Sequence, residues 1–499
     1  MPKWFLSAIL LCLSCLSAPA ADVDQERAAL KAVLALDQAT NPDTEAIASA
    51  LKKIISDPSI DSLSESERHA AYLLYASALF DSKDYSAARP YAERASASPL
   101  ADNDDWDLRL RTDFYLHDYI DAARPITEIA QQWPEKLADY YDHSFFTVVS
   151  AVQDDPKSAE TALSLLQALH AAKWKPENPF DTADFLWLSL AARLLDQGLT
   201  DGAKIVAADI HTPYALVEMK ADNRFDMIVR SNPDNFDIKR AFDDVIAQIR
   251  AESEKAPDKL EGINVLANLL RAENRSQEAL SVVDQALAHW KSKPDFFSDA
   301  GEKLNWIIDT RANVLFDLGR NSEAFAAMTD AASHDEDGKK NVSQAINLAD
   351  AYNTFGRPKD ALTAVSALDF KSGSTYGSMA LEAARACAYF QLGDVANLAR
   401  SVDYLKVHRT DGTGAYMSAL LCLGKVDDVA HEMIARLDDI EGRVQMLIDL
   451  QDDLSNPILS EQEKASRATW LSARNRPDVT AAIAKVGKVN SIPVRYISF

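Results

Sequence analysis

Two seven-residue stretches in the C-terminal half of the chain decide the fold. Residues 318–324 read Leu-Gly-Arg-Asn-Ser-Glu-Ala, and residues 355–361 read Phe-Gly-Arg-Pro-Lys-Asp-Ala. In both, a glycine suited to a tight turn follows an apolar residue, and an alanine then begins the buried side of a new helix. Weaker echoes stand at residues 392–394 and 423–425. Such repetition predicts stacked helix pairs, each covering an apolar face of its neighbour.

The same repeat is visible near the N-terminus. Ala-Ala-Arg-Pro at residues 87–90 recurs at residues 122–125, and Pro99 recurs as Pro134, each time 35 residues later. Each set brackets a second helix, with one proline in its early turns and another just past its end. Apolar residues recur at helical spacing along most of the chain, and strand signals are scarce. The sequence therefore predicts an all-α protein.

The repeats resemble the tetratricopeptide (TPR) family, in which small residues and a turn glycine let two helices pack closely. The resemblance covers about residues 70–135 and 260–440. It implies an α/α superhelix, a solenoid of stacked antiparallel helix pairs that binds other proteins or peptides. The positions that carry it best are Leu266, Ala267, Leu270, Ala279, Ala312, Leu315, Gly319, Ala324, Leu348, Ala349, Tyr352, Gly356 and Ala361.

The N-terminus has the features of a secretory signal peptide. Lys3 supplies a positive charge, residues 4–16 are almost wholly apolar, and residues 18–20 (Ala-Pro-Ala) fit a cleavage site. A buried first helix is the alternative. We expect a soluble exported protein, periplasmic or secreted, because Cys12 and Cys15 both lack a good lipidation box.

We divide the chain at changes in this pattern. Residues 1–20 form the signal peptide and residues 21–210 an N-terminal helical-repeat region. Residues 211–256 are an irregular seam, where Asn, Asp and Pro should make turns and caps anchored by Phe225 and Phe236; a binding loop is the alternative. Residues 257–440 hold the TPR-like repeats. Residues 441–499 are capping helices and an extended tail, which either packs on the last helix or is bound by another domain.

Charge and motifs exclude several functions. The net charge of −24 argues against binding to nucleic acid or anionic membranes, both of which need basic patches. No metal-binding set, phosphate loop or nucleophile elbow occurs, so we expect no enzyme, no cofactor and no metal. The acidic run at residues 102–105 lacks the spacing of a calcium loop, and we expect it to be a solvated turn.

Only Cys387 and Cys422 lie outside the signal peptide. They fall on the first helices of consecutive pairs, Cys387 five residues before Leu392 and Cys422 one residue before the equivalent Leu423. That offset is about 6 Å along the axis, in addition to about 8–10 Å between packed helices. Since a bridge needs Cα atoms within about 7 Å, we expect two buried free thiols, with a disulfide as the alternative.

The resemblance implies that first helices line a concave groove. Asn268 and Asn313 match positions where related domains use Asn to hold a peptide backbone, and the usual basic clamp is absent because Asn264 and Asp309 stand in its place. A neutral or basic extended peptide would suit this lining; the alternative is that these are only solvated polar residues. The full predicted set is Asn264, Asn268, Arg271, Trp306, Asp309, Asn313, Phe316, Asp317, Asp350, Asn353, Cys387, Phe390 and Gln391.

Three functions remain open at this stage. The first is an exported scaffold for protein–protein or peptide interactions, in cell-envelope assembly or secretion. The second is a glycan-binding helical-repeat protein. The third is an α/α-toroid enzyme acting on polysaccharides, which would need helix pairs closing into a ring with acids and aromatics meeting at one end.

Overall fold

A computed structural model describes residues 21–37, 43–334, 341–369, 374–454 and 459–495. All regular elements in these ranges are helices, and the only β contacts described there are two isolated bridges, Asp222 with Gly487 and Asp452 with Ser491. The all-α prediction is confirmed. The predicted signal peptide and residues 496–499 of the tail lie outside the described residues.

The chain divides into two compact units between Glu177 and Asn178. In the first unit, consecutive helices pack against one another from α1 to α6, and α6 also packs against α7 and α8. Its helices are α1 (Ala21–Asp37), α2 (Thr44–Ser56), α3 (Glu65–Asp81), α4 (Tyr85–Ser96), α5 (Asn103–Tyr115), α6 (Tyr119–Gln132), α7 (Asp142–Asp154) and α8 (Ala159–Ala171).

The second unit contains the predicted seam, the TPR-like repeats and the C-terminal helices. Its helices are α9 (Asp184–Asp196), α10 (Thr200–Ala207), α11 (Pro213–Ala221), α12 (Asp226–Ser231), α13 (Ile238–Lys255), α14 (Leu260–Ala272), α15 (Ser276–Ser292), α16 (Ala300–Asp317), α17 (Asn321–Ser333), α18 (Val342–Thr354), α19 (Pro358–Ala364), α20 (Thr375–Leu392), α21 (Val395–Val407), α22 (Thr413–Cys422), α23 (Val426–Asp438), α24 (Ile440–Asp449), α25 (Glu461–Arg474) and α26 (Pro477–Val486).

The turns inside the helix pairs share one backbone conformation. At the turn between α16 and α17, Gly319 N–H donates to Phe316 O at 2.9 Å and Arg320 N–H donates to Leu315 O at 2.8 Å. This hydrogen-bond pattern closes a helix with a left-handed residue. That left-handed residue is Lys83, His117, Gly198, Asn274, Gly319, Gly356, Gly393 or Gly424, depending on the pair.

The repeated small residues are buried between helices. Ala88 and Ala123, from the two copies of the N-terminal repeat, are both fully buried, as are Ala279 and Ala324 in the second unit. An alanine at such a position lets two backbones approach without leaving a cavity. The predicted packing role of the repeated alanines is confirmed.

Residues 211–256 belong to the second unit. Asp222 and Asp237 cap the helices that follow them, and Phe225 and Phe236 are buried, as predicted for a connection made of turns and caps. The segment is packed into the unit, because α11 lies against α9, α13 and α24. Helix α11 therefore contacts helices from both the beginning and the end of this unit.

The acidic run at residues 102–105 is a helix cap, and the expectation of a solvated turn is wrong for one of its members. Asp102 Oδ1 accepts from Asp104 N–H at 2.9 Å, and Asp102 N–H donates to Asp105 Oδ2 at 2.9 Å. Asp105 is 1% exposed. A capping box of this kind satisfies helix N–H groups that would otherwise lack partners.

The expectation of free thiols is also wrong, because Cys387 and Cys422 form a disulfide with a Cα–Cα distance of 5.8 Å. A side chain on Gly412 would place its Cβ 2.8 Å from Met379 Cβ, so the start of α22 lies beside Met379 on α20. Counted from that contact, the two cysteines differ by two residues, or about 3 Å along the axis. Two Cα atoms that face each other across a pair of packed helices are also about 4–5 Å closer together than the two helix axes are. The axial offset between the two cysteines and the separation of their Cα atoms are therefore both smaller than the repeat alignment predicts.

The C-terminal segment, residues 487–495, is extended and docks inside the second unit. Lys488 N–H donates to Ala221 O at 2.8 Å, Asp452 N–H donates to Asn490 O at 3.0 Å, and Arg495 N–H donates to Ala272 O at 2.8 Å. The sequence predicts packing of the tail on the last helix, with binding by another domain as the alternative. The structure differs, because the described residues 487–495 contact α11, α14 and the loop after α24.

Candidate functional site

A cavity of about 390 Å³ opens in the second unit between the first helices of successive pairs. Helices α14, α16 and α18 form its floor, and α25 and the C-terminal segment form its edge. Its lining residues are Arg271, Asp309, Asn313, Phe316, Asp317, Met328, Asn347, Asp350, Ala351, Thr354, Phe355, Glu463 and Arg495. We call this cavity the groove.

Helical periodicity explains how two helices supply most of this lining. Asp309, Asn313 and Phe316 on α16 are spaced by four and three residues, which places them on one face. On α18, Asn347 and Asp350 have the same relation. Asn347 Nδ2 donates to Asp309 Oδ1 at 3.4 Å, which links the two faces across the helix interface.

The two arginines of the groove share one carboxylate. Arg271 Nε donates to Asp317 Oδ2 at 2.8 Å, and Arg495 Nη2 donates to Asp317 Oδ1 at 3.0 Å. The side chains are 11%, 12% and 4% exposed for Arg271, Arg495 and Asp317. An ion pair this well shielded from water holds its partners in fixed geometry. The segment carrying Arg495 is thereby anchored at the edge of the groove.

Asp309 is buried and has no ion pair with any residue in the described ranges. Its Oδ2 accepts from Asn313 Nδ2 at 3.0 Å, and its Oδ1 accepts from Asn347. Burial raises the pKa of Asp309 to about 6, although the two amides and the more distant Arg271 favour the charged form. Amide donors orient this carboxylate but leave its charge uncompensated.

Asp350 has neither a hydrogen bond nor an ion pair among the described residues. Its side chain is exposed to water because it faces the open groove. Surrounding protein nevertheless displaces much of the bulk solvent, and this desolvation raises its pKa to about 7.

An aromatic wall completes the groove. The rings of Phe316 and Phe355 stack with centroids 4.7 Å apart and an interplanar angle of 25°. Phe325 packs edge-on against both of them, at 5.1 and 5.4 Å. Ring faces of this kind accept the alkyl part of a long side chain and attract a cation.

The structure brings six of the predicted groove residues together: Arg271, Asp309, Asn313, Phe316, Asp317 and Asp350. The other predicted positions do not line the groove. Trp306 and Phe390 are 40% and 44% exposed elsewhere on the surface. Cys387 is in the disulfide, and Gln391 Nε2 donates to Asn353 O at 3.0 Å.

Of the two asparagines predicted to hold a peptide backbone, Asn313 lines the groove and Asn268 does not. Asn268 is 7% exposed; it donates to Asn264 O at 3.2 Å and accepts from Arg271 Nη1 at 3.1 Å. Asn264 in turn accepts from Thr310 at 2.6 Å. Asn353 is 3% exposed and donates to Ala384 O at 2.8 Å. Asn268 makes its hydrogen bonds within α14, whereas Asn264 and Asn353 connect neighbouring helices. None of the three lines the groove, and the peptide-binding role of Asn268 stays a prediction.

The prediction missed several groove residues. Asn347 and Thr354 share the face of Asp350 at helical spacing, so a complete register of α18 would have found them. In the sequence, Phe355 stands out only as the apolar residue that precedes the turn glycine Gly356. Glu463 and Arg495 come from segments far along the chain, and no local sequence pattern connects them to α16 or α18.

Comparison with solved structures gives matches of low sequence identity, two of which are described here. No family model and no curated protein matches the chain. A structure of a Rap protein complexed with Competence and Sporulation Factor is 12% identical, with a TM-score of 0.28, covering 90% of this chain and 99% of that one. A structure of Naa15/Naa10 bound to HypK-THB is 14% identical, with a TM-score of 0.24, covering 83% and 63%. At these TM-scores, neither structure assigns a fold or a function to this chain.

The described residues contain no candidate metal site and no candidate membrane-spanning helix. Within the described ranges, no three His, Cys, Asp or Glu side chains are grouped to hold a metal ion. None of the helices described has the length and apolar character needed to cross a membrane.

Proposed function

We propose that this protein is an exported TPR-like scaffold that binds a partner protein by holding an extended segment of it in the groove. The observation that carries the proposal is the groove itself, a cavity of about 390 Å³ lined by residues from three successive first helices. Binding, without catalysis, is the function that this lining supports.

The chemistry of the groove suits an extended peptide. Asn313, Asn347 and Thr354 place amide and hydroxyl groups along it, and such groups can pair with the main chain of a ligand. Phe316 and Phe355 add an apolar surface for side chains. The C-terminal segment already lies in extended form at the edge of the same cavity, anchored there by Arg495.

Two features support export. The apolar N-terminal stretch, residues 4–16, has the composition of a signal peptide. The disulfide between Cys387 and Cys422 is a bond that persists in oxidising compartments and is rare in the cytosol. A periplasmic or secreted location agrees with both features, and a role in envelope assembly or secretion would follow from it.

Site-specific photocrosslinking tests the scaffold role. A photoreactive phenylalanine analogue replaces Thr354, which lines the groove, and in a second variant replaces Lys359, which is exposed on α19. Irradiation of intact cells should give discrete adducts from position 354 that are absent from position 359. Equal adducts from both positions, or none from position 354, would contradict the proposal.

Export has its own test. Mass spectrometry of the protein from its native cell should find a mature chain beginning at Ala21. Cys387 and Cys422 should resist alkylation until a reductant is added. A cytosolic, uncleaved chain with two alkylated thiols would contradict export without affecting the groove.

A further inference from the structure

We infer that the groove is specific for a cationic residue of the bound peptide, a lysine or arginine whose charged group lies between Asp309 and Asp350. This inference rests on the proposed function and names the class of ligand. Two independent observations carry it, the charge distribution of the cavity and the segment that the cavity already holds.

The first observation is a local excess of negative charge. Four carboxyl groups and two guanidinium groups line the groove. Both guanidinium groups are engaged by Asp317, and neither Asp309 nor Asp350 forms a salt bridge with any residue that the structure describes. Glu463 is engaged in a cap, since its Oε2 accepts from Ser460 N–H at 2.7 Å. A ligand cation would therefore pair with Asp309 and Asp350.

The second observation is that an arginine of the extended C-terminal segment already lies at the edge of the groove. Arg495 reaches Asp317 with its guanidinium group, while its backbone N–H donates to Ala272 O and its backbone O accepts from Tyr214 Oη at 3.2 Å. Main-chain hydrogen bonds together with a side-chain ion pair are how an extended peptide is recognised. Arg495 is one of the residues that line the cavity of about 390 Å³, so a bound cationic residue would lie beside it.

The shape of the cavity favours a long side chain over a free ion. Phe316 and Phe355 stand next to the carboxylates, and a lysine or arginine stem can lie on these rings while its head reaches Asp350. The ring faces add attraction for the cation. A small inorganic cation would leave this apolar wall unused.

Fluorescence anisotropy with short labelled peptides tests the inference on the full mature chain. The probes are capped heptapeptides that differ only at the central residue, which is lysine, arginine, norleucine or glutamate. The lysine and arginine peptides should bind at least tenfold more tightly than norleucine, and glutamate should bind weakest. Equal affinity for norleucine and lysine would overturn the inference.

Variants locate the effect. D350N should weaken the lysine peptide at least tenfold without lowering the melting temperature, because Asp350 is exposed and has no hydrogen-bond or ion-pair partner among the described residues. D201N is the matched control: its carboxylate is 95% exposed on α10, away from the groove, and its loss should leave binding unchanged. A lysine peptide that binds D350N as tightly as the parent would contradict the assignment.

Two further outcomes separate this inference from the proposed function. Free cadaverine, used as a competitor, should displace the lysine peptide only weakly; displacement at equal concentration would show a small-amine site and overturn the peptide assignment. Crosslinks at Thr354 with no preference for lysine would retain the scaffold and remove the cation specificity. If the lysine peptide were preferred but no protein were crosslinked at Thr354 in cells, the scaffold function would be contradicted instead.

Discussion

His69 Nε2 lies 2.8 Å from Asp105 Oδ1, and both side chains are buried, so α3 and α5 are joined by an ionisable pair inside the first unit. Asp105 also completes the cap of α5 through its other oxygen. The hydrogen bond to Asp105 raises the pKa of His69 above its usual value, against the opposing effect of burial. The stability of the contact between α3 and α5 should therefore depend on pH.

H69Q should remove this dependence on pH. Because the His69 pKa is raised in the folded state, its contribution to stability is complete below about pH 6.5 and is lost as pH rises through the folded-state pKa. The free energy of unfolding of the parent should exceed that of H69Q by about 1–3 kcal/mol at pH 6, and the difference should shrink above neutrality. Urea unfolding at a series of pH values measures it.

Exposed His431 provides the comparison for that experiment. H431Q should follow the parent within error at every pH. A difference between parent and H69Q that stays constant from pH 6 to pH 9 would show that His69 contributes by packing alone.

The left-handed turns predict changes of opposite sign at Gly424 and Lys83. Nothing lies within 4 Å of a Cβ on Gly424, whose φ is +66°, so G424A should cost about 1 kcal/mol through backbone strain alone. Lys83 has φ of 63° and an exposed side chain. K83G should relieve that strain and raise stability by up to about 1 kcal/mol, less the extra entropy of glycine in the unfolded chain. Thermal and urea unfolding measure both.

Asn274 is the internal reference for this pair of substitutions. Its φ is 57°, but asparagine tolerates this conformation better than lysine. N274G should therefore change stability less than K83G does. If N274G stabilised the protein by more than K83G, strain would not be the cause.

The disulfide should contribute substantially to the second unit. It closes a loop with a sequence separation of 35 residues. Loop entropy then gives a stabilisation of about 4 kcal/mol. Unfolding of the parent in urea should shift to lower denaturant on addition of a reductant, and the C387S/C422S double variant should already show the shifted curve and ignore the reductant. A parent curve that does not respond to reductant would exclude this contribution.

Gly487 should be intolerant of any side chain. A Cβ at this position would lie 2.6 Å from Ala221 O and 2.5 Å from Leu447 Cδ2, and the backbone oxygen cannot move without shifting α11. G487A should cost about 1–3 kcal/mol and expose the C-terminal segment to limited proteolysis. G414A, where a Cβ meets nothing within 4 Å, should remain as resistant as the parent.

Local features of the fold could be predicted because they leave local marks. A glycine at positions such as Gly319 identifies the turn between two helices, and spacing along α16 placed Asp309, Asn313 and Phe316 on one face. The turn at Lys83 has the same conformation without the glycine that would reveal it. Propensity is a weak signal wherever tertiary packing outweighs it.

The errors arose where contacts depend on how helices cross. Neighbouring positions on a helix differ by only about 100°, so a small error in orientation placed Asn268 and Asn353 in the groove when both are buried between helices. The disulfide was missed because the offset between α20 and α22 cannot be read from repeat alignment. Arg495 pairs with a residue 178 positions away, and no periodicity predicts such a contact.

The hydrogen bond from Tyr214 to Arg495 spans 281 residues, and it changes how the second unit must fold. Solenoids can usually assemble repeat by repeat, since each unit depends only on its neighbours. Here one edge of the groove is supplied by Arg495, which follows in the chain every helix that it touches. High contact order of this kind slows folding, and a chain that stops short of Arg495 would be left with an unfinished binding cavity.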